Sequence, residues 1–177
     1  MWQEKLGRRR GFKGQEGQSL LETAIAMPML LTLSFNMINW GYLWFMVLTL
    51  SAAPRMGAQY ATQGGQATLA PGTEAVRDLV WENVTNAVHG ATTANTAVRV
   101  CSSAKGVDST THVALCDSFG PAFSFPAVVA DPEAPTFVLD SVDVEYTVTP
   151  IIPGAIFGVI LPSNLNFHRQ VVMRSLY

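Results

Sequence analysis

From Thr23 to Pro54 the chain runs for 32 residues without a charged side chain, in a stretch rich in Leu, Met, Ile, Phe and Trp. About 20 apolar residues suffice to cross a bilayer as a helix. At about 1.5 Å per residue the whole run would reach roughly 48 Å, against a hydrocarbon core of about 30 Å. The pattern predicts a helix that spans a membrane and still projects beyond it, with Ala52–Thr62 continuing it outward. Pro28 removes one helical hydrogen bond near its start. Asn36 and Asn39, three residues apart, share a face. They are either tolerated polar residues or a helix–helix contact made through their amides.

Downstream the period changes twice. Val76, Val80, Val84 and Ala87, joined by Leu79 and Val88, form one helical face; Thr73 is placed to cap this helix and Gly90 to end it. Val142, Val144, Tyr146 and Val148 then alternate with Asp143, Glu145, Thr147 and Thr149, which predicts a strand with one buried and one wet face. Phe167, Val171 and Met173 mark a returning strand. The apolar stretch Pro150–Pro162 between them holds Pro153, Gly154, Gly158 and Pro162, so it is no long helix. It reads as a connector folded over the core, or as an apolar patch that docks on a subunit or a membrane. The fold class is α+β: a long N-terminal transmembrane helix, one further helix and an antiparallel sheet. Three regions follow: a leader (1–17), the helix (18–62) and an outer domain (63–177).

Charge orients this arrangement. Residues 1–17 hold five Lys/Arg against two Glu, and the remainder is net acidic. Lys5, Arg8, Arg9, Arg10 and Lys13 precede the apolar run, whereas Arg55 alone follows it. The positive-inside bias puts the leader in the cytoplasm and the outer domain in the periplasm or outside the cell. Phosphate binding needs clustered cations, so the acidic remainder argues against nucleic acid as a partner. A cleaved secretory signal ending near Ser51-Ala52-Ala53 would need a much shorter apolar run.

Glu22 is the last charge before the run, five residues after Gly17. A carboxylate at the mouth of an apolar helix is either solvated at the interface or paired with a cation. Cleavage after Gly17 would create one, the α-amino group of Gln18. Gly11, with Glu16 at the same spacing, is a second candidate, but Phe12-Lys13-Gly14-Gln15 is not apolar and the helix is expected only from Leu20.

The stretch Gly17-Gln18-Ser19-Leu20-Leu21-Glu22-Thr23-Ala24-Ile25-Ala26-Met27-Pro28 resembles the start of TadE-like minor pilins of tight-adherence (Flp) pilus systems. Ala53-Pro54-Arg55-Met56-Gly57-Ala58-Gln59-Tyr60-Ala61 is similar to a second segment of that family, and the C-terminal strand pair with Met173-Arg174 follows it loosely. Thr23 stands where the family has Phe, Asn39 where an acidic residue is common, and Gln59 where it has Arg. TadF-like pilins share most of these marks. The resemblance implies a bacterial inner-membrane, single-pass accessory subunit without enzymatic activity or cofactor. Its implied partners are the lipid bilayer, a prepilin peptidase cutting between Gly17 and Gln18, other pilin subunits and the pilus-assembly machinery. Glu22, Asn36 and Asn39 are its candidate assembly residues. The reading from another class is an unprocessed, membrane-tethered binding domain.

Cys101 and Cys116 are the only cysteines. Outside the cell they can form a disulfide, which for a loop of this length contributes about 3 kcal/mol. Were Ala97–Cys101 paired with His112–Cys116 in a hairpin, the two would lie roughly 13 Å apart, too far to bond. Either the bond closes a loop over 102–115, or the hairpin forms and the thiols are free. His89, His112 and His168 are dispersed without metal-ligand spacing. Asp143 and Glu145 share a face that reads as solvated, and no nucleophile motif is evident.

Overall fold

The computed structural model describes residues 15–63, 71–148, 150–152 and 165–176. The basic leader with Gly11, residues 64–70 and the Pro153–Pro162 part of the connector lie outside these. Helix α1 covers Gln15–Gln63, 49 residues, and runs through both Pro28 and Pro54. It starts five residues before the expected Leu20, so Gly17 lies inside the helix. Helix α2 covers Thr73–Ala87. Strands β1 (Thr96–Cys101), β2 (Cys116–Phe119), β3 (Phe137–Val148) and β4 (Leu165–Leu176) form one antiparallel sheet in the order β2-β1-β3-β4.

One face of the sheet carries the apolar core. Val98 and Val100 of β1 and Val142, Val144, Tyr146 and Val148 of β3 point to the helices. From α1 they meet Met46, Leu50, Ala53, Ala58 and Ala61; from α2 they meet Val76, Val80 and Val84. With buried Gly57 the α1 set recurs at three- and four-residue intervals and the α2 set every four, so each helix buries one stripe. The helices cross closely at Gly57. A Cβ there would stand 2.6 Å from Val80 Cγ2, so α2 can approach only because position 57 has no side chain. The outer half of α1 is thus a core element, and the packed unit begins near Asn39 rather than after Thr62.

The α2 termini differ slightly from expectation. Gly72 occupies the N-cap position and no side chain caps the helix. The Thr73 hydroxyl instead donates to Asp117 Oδ2 at 2.6 Å, tying α2 to β2. Lys105 pairs with the same carboxylate, and these partners, Lys105 first, hold Asp117 below the usual carboxylate range.

The expectation of a wet second sheet face is overturned. Asp143 and Glu145 are buried, and so is most of β3 on both sides. Alternation in β3 marks two different coverings, not core against solvent. After β2 the chain turns at Gly120 (φ 92°), where a Cβ would stand 2.4 Å from the Thr96 carbonyl oxygen, and residues 120–131 return across this face as a strap. Arg99 donates to the Pro126 carbonyl at 2.7 Å, and its guanidinium lies 4.8 Å from the Phe125 ring. Arg174 grips Asp131 with two bonds of 2.7 and 2.9 Å.

Cys101 and Cys116 are bonded and stand directly opposite each other in the β1–β2 register, Cα atoms 4.0 Å apart. Strand β2 starts at the second cysteine rather than ending there. Of the two alternatives, the closed loop over 102–115 is the one realised.

Candidate functional site

The first half of α1 exposes most of its large apolar side chains. Leu20, Leu21, Ile25, Met27, Met29, Leu30, Leu33, Met37 and Ile38 are exposed, and they surround the helix instead of forming a stripe. A helix apolar on every side is stable only in a lipid or protein environment. The span from Gly17 to Thr62 is long and apolar enough to cross a membrane.

The polar residues of this stalk satisfy themselves along the helix. Thr23 donates to the Ser19 carbonyl at 2.8 Å, Thr32 to Pro28 at 2.9 Å, Ser34 to Leu30 at 2.8 Å and the Asn36 amide to Thr32 at 2.8 Å. Side chains bonded back to the preceding turn lower the cost of entering an apolar medium. Glu22 is the exception in kind. It is exposed near the free end of the stalk, and its nearest polar contact is the Gln18 amide at 3.4 Å. Gly17 is also exposed, with no atom of another element within 4 Å of where a Cβ would be. The helix therefore gathers Gly17, Gln18 and Glu22 within about a turn and a half, with Gln18 and Glu22, four residues apart, on one face.

Asn36 and Asn39 part company. Asn36 is half-buried on the stalk. Asn39 is fully buried, and its amide clasps one residue of the connector: Nδ2 donates to the Ile152 carbonyl at 3.0 Å, and Oδ1 accepts from the Ile152 N–H at 3.1 Å. One turn on, the Tyr42 hydroxyl donates to the His89 carbonyl at 2.7 Å, fastening α1 to the end of α2. Trp40, Trp44, Phe45 and Leu48 remain exposed at this junction. Cys101 and Cys116 lie on β1 and β2 within the outer domain and form no part of the stalk.

A second polar group, missed in the sequence, sits beneath the strap. Asp143 receives Arg99 (Nη2–Oδ2 2.9 Å) and His168 (Nε2–Oδ1 3.0 Å), with the Gln170 amide at 3.4 Å. Glu145 lies on the same face, opposite His168 in the register. Burial raises its pKa against the opposing pull of His168. Asp140, at the other end of β3, is raised by burial too, although the Ser103 N–H donates to it at 2.6 Å. Burial also opposes ionisation of Asp131, but the Glu133 N–H and Arg174 outweigh it and hold that carboxyl below the usual range. Phe123, Phe125 and Val128 were the available signal that residues 120–131 cover something. This group reads as a fastening for the strap: the buried Asp143 carboxylate paired with Arg99, which also holds the Pro126 carbonyl. Those residues also include no set of three His, Cys, Asp or Glu placed to hold a metal ion.

No family model matches the chain, and no curated protein or solved structure is significantly similar to it. The functional reading rests on the stalk and the residues at its free end.

Proposed function

We propose that this chain is a non-enzymatic accessory subunit of a tight-adherence type pilus or a related secretion apparatus, similar to TadE/TadF-like minor pilins, and that α1 serves as both anchor and assembly element. The observation that carries the reading is the placement of Gly17 and Glu22 at the exposed end of a helix that is apolar on all sides. Cleavage after Gly17 removes three helical residues and leaves the Gln18 α-amino group as the new terminus. In a bundle of such helices, that amine on one subunit neutralises Glu22 of its neighbour and fixes the axial stagger between them. The pairing removes the cost of carrying a carboxylate beside hydrocarbon, on the order of 2.5–3.5 kcal/mol at the bilayer centre and less near its edge. The basic leader before Gly17 keeps the N-terminal side in the cytoplasm of a bacterial inner membrane and sends the disulfide-bonded domain outward.

N-terminal sequencing of the protein recovered from membranes of cells that hold a prepilin peptidase tests the reading. Gln18 as the first residue supports it. A chain still carrying the leader in those cells sinks it and leaves an unprocessed, membrane-tethered binding domain. In the cleaved protein, Glu22→Gln is expected to preserve insertion and lower co-assembly with other pilin subunits.

A further inference from the structure

We propose that copies of this chain in one membrane dock side by side, the β4 edge of one against the α2–β2 edge of the next, in an open head-to-tail row. The inference rests on reading α1 as a membrane anchor, and it does not depend on cleavage after Gly17.

Strand β4 pairs with β3 over its whole length and forms one edge of the sheet; β2 forms the other. An open strand edge is a template for another chain. The anchor fixes the direction of each edge. Asn39 clasps Ile152, just beyond Val148 of β3, whose register partner is Leu165 at the start of β4. Further along α1, the Thr62 hydroxyl lies 4.0 Å from Met173 Sδ, near the end of β4. Strand β4 therefore runs with α1. So does β1, and β2 runs against them. Copies held in one bilayer share the direction of α1. They are related by a shift in the membrane plane or by a turn about its normal. A half-turn sets β4 beside β4, parallel. A shift sets β4 beside the neighbour's β2, antiparallel.

Charge selects the shift. Arg169 is exposed on the β4 edge and makes no ion pair among the described residues. The same holds for Arg55, seven residues before Thr62 and so on the flank of α1 that borders β4. The opposite edge is acidic. Glu74, Asp78 and Glu82 recur every four residues as an exposed stripe on α2, and of the three only Asp78 has a cation beside it, Arg77. Glu74 stands seven residues before Trp81, whose ring packs edge-on against Phe119 of β2, so the stripe borders β2. The heights agree too. Arg169, Val144, Val98 and Phe119 form one row across the sheet, and Phe119 lies under the Arg77 guanidinium, beside Asp78. A half-turn would face Arg55 and Arg169 with their own copies, whereas a shift brings them to carboxylates at the same level. The occupant of each edge is therefore a second copy. Such a contact joins unlike surfaces and, without a closing rotation, continues from copy to copy.

Cysteine crosslinking of the full-length chain, leader included, in phosphatidylcholine–phosphatidylglycerol vesicles tests this. Cys101 and Cys116 are bonded to each other, so an introduced cysteine is the reactive thiol. Ser118 and Val172 are exposed on one face of the sheet at its two opposite edges. Vesicles that hold a Ser118→Cys chain together with a Val172→Cys chain are expected to give a 118–172 dimer with a short bis-maleimide, and vesicles that hold either chain alone are expected to give little. Arg55→Glu with Arg169→Glu, placed in both chains, should lower the dimer at least about fivefold, the scale of one exposed ion pair. Adding Glu74→Arg and Glu82→Arg to the same chains should restore it. Dimers that form as readily in the single-variant vesicles mark a two-fold contact and overturn the row. No dimer in any vesicle overturns the docking. A 118–172 dimer that the charge reversals leave unchanged overturns the charge pairing. Because these chains keep the leader, failure here leaves the reading of Gly17 to its own test, and a chain never cut in cells still forms the row.

Discussion

The two halves of α1 are written in nearly the same alphabet and have opposite fates. Residues 17–38 and 39–63 are both apolar and both helical. The first half shows large side chains on all sides, whereas the second has its small and flexible residues on one stripe: Met46, Leu50, Ala53, Gly57, Ala58 and Ala61. Size, more than hydrophobicity, decides which half seats α2. In the first half bulky residues project all round the helix, while in the second Ala and Gly on one stripe let α2 come within van der Waals distance. Composition alone would assign both halves to the membrane.

Truncating side chains in each half breaks or sharpens this contrast. Leu50→Ala removes a fully buried side chain and should destabilise the outer domain by about 2–5 kcal/mol, whereas Leu30→Ala should change it by less than about 0.5 kcal/mol. Thermal unfolding of the full-length protein in detergent, followed by near-ultraviolet dichroism, reads both. Equal effects would mean that the stalk also packs on the domain.

Gly57→Ala should come next. The added methyl meets Val80, and overpacking of this kind costs about 1–3 kcal/mol. The same change at Gly41, which has open space around it, should be neutral or slightly stabilising, because alanine is the better helix former. A stable Gly57→Ala protein would show that the crossing of α1 and α2 can widen at little cost.

The smallest effect is one of pH. Burial raises the Glu145 pKa in the folded domain, so the folded state holds this proton more tightly than the unfolded chain does. Stability from this group is full below the unfolded value and falls as pH rises through the folded one. Glu145→Gln should therefore raise the melting temperature at neutral pH, with a gain that shrinks on acidification below the usual carboxylate range. The stalk has no part in this titration. A gain that stays constant with pH would attribute the effect to packing instead.

Much of the architecture was legible from periodicity. The Val76–Val88 face marked α2, the alternation from Val142 marked β3, and the returning apolar residues after Phe167 marked β4. Local pattern did not reveal what lies over each face. Asp143 and Glu145 look wet in sequence because acidic residues rarely sit inside without partners. Their burial depends on Arg99, His168 and a strap 20 or so residues away in the chain, a coincidence in space that no window of sequence contains. Asn39 was left between a tolerated polar residue and a helix–helix contact for the same reason: its actual partner, Ile152, lies 113 residues downstream. At the candidate site the reverse holds. Gly17, Gln18 and Glu22 are close in sequence, so one helix suffices to bring them together.

The uninterrupted course of α1 has a mechanical consequence. No flexible joint separates the stalk from the outer domain, because the helix that leaves the stalk at Ile38 is already bound to the domain at Asn39, Tyr42 and Met46. Tension or torque applied at the Gly17 end is delivered along the helix axis straight into the valine layer between α2 and the sheet. The load acts in shear over several helical turns at once, so it is shared among many contacts instead of opening them one by one. The domain cannot swivel on its anchor, and whatever the stalk is fixed in also fixes the direction the sheet faces.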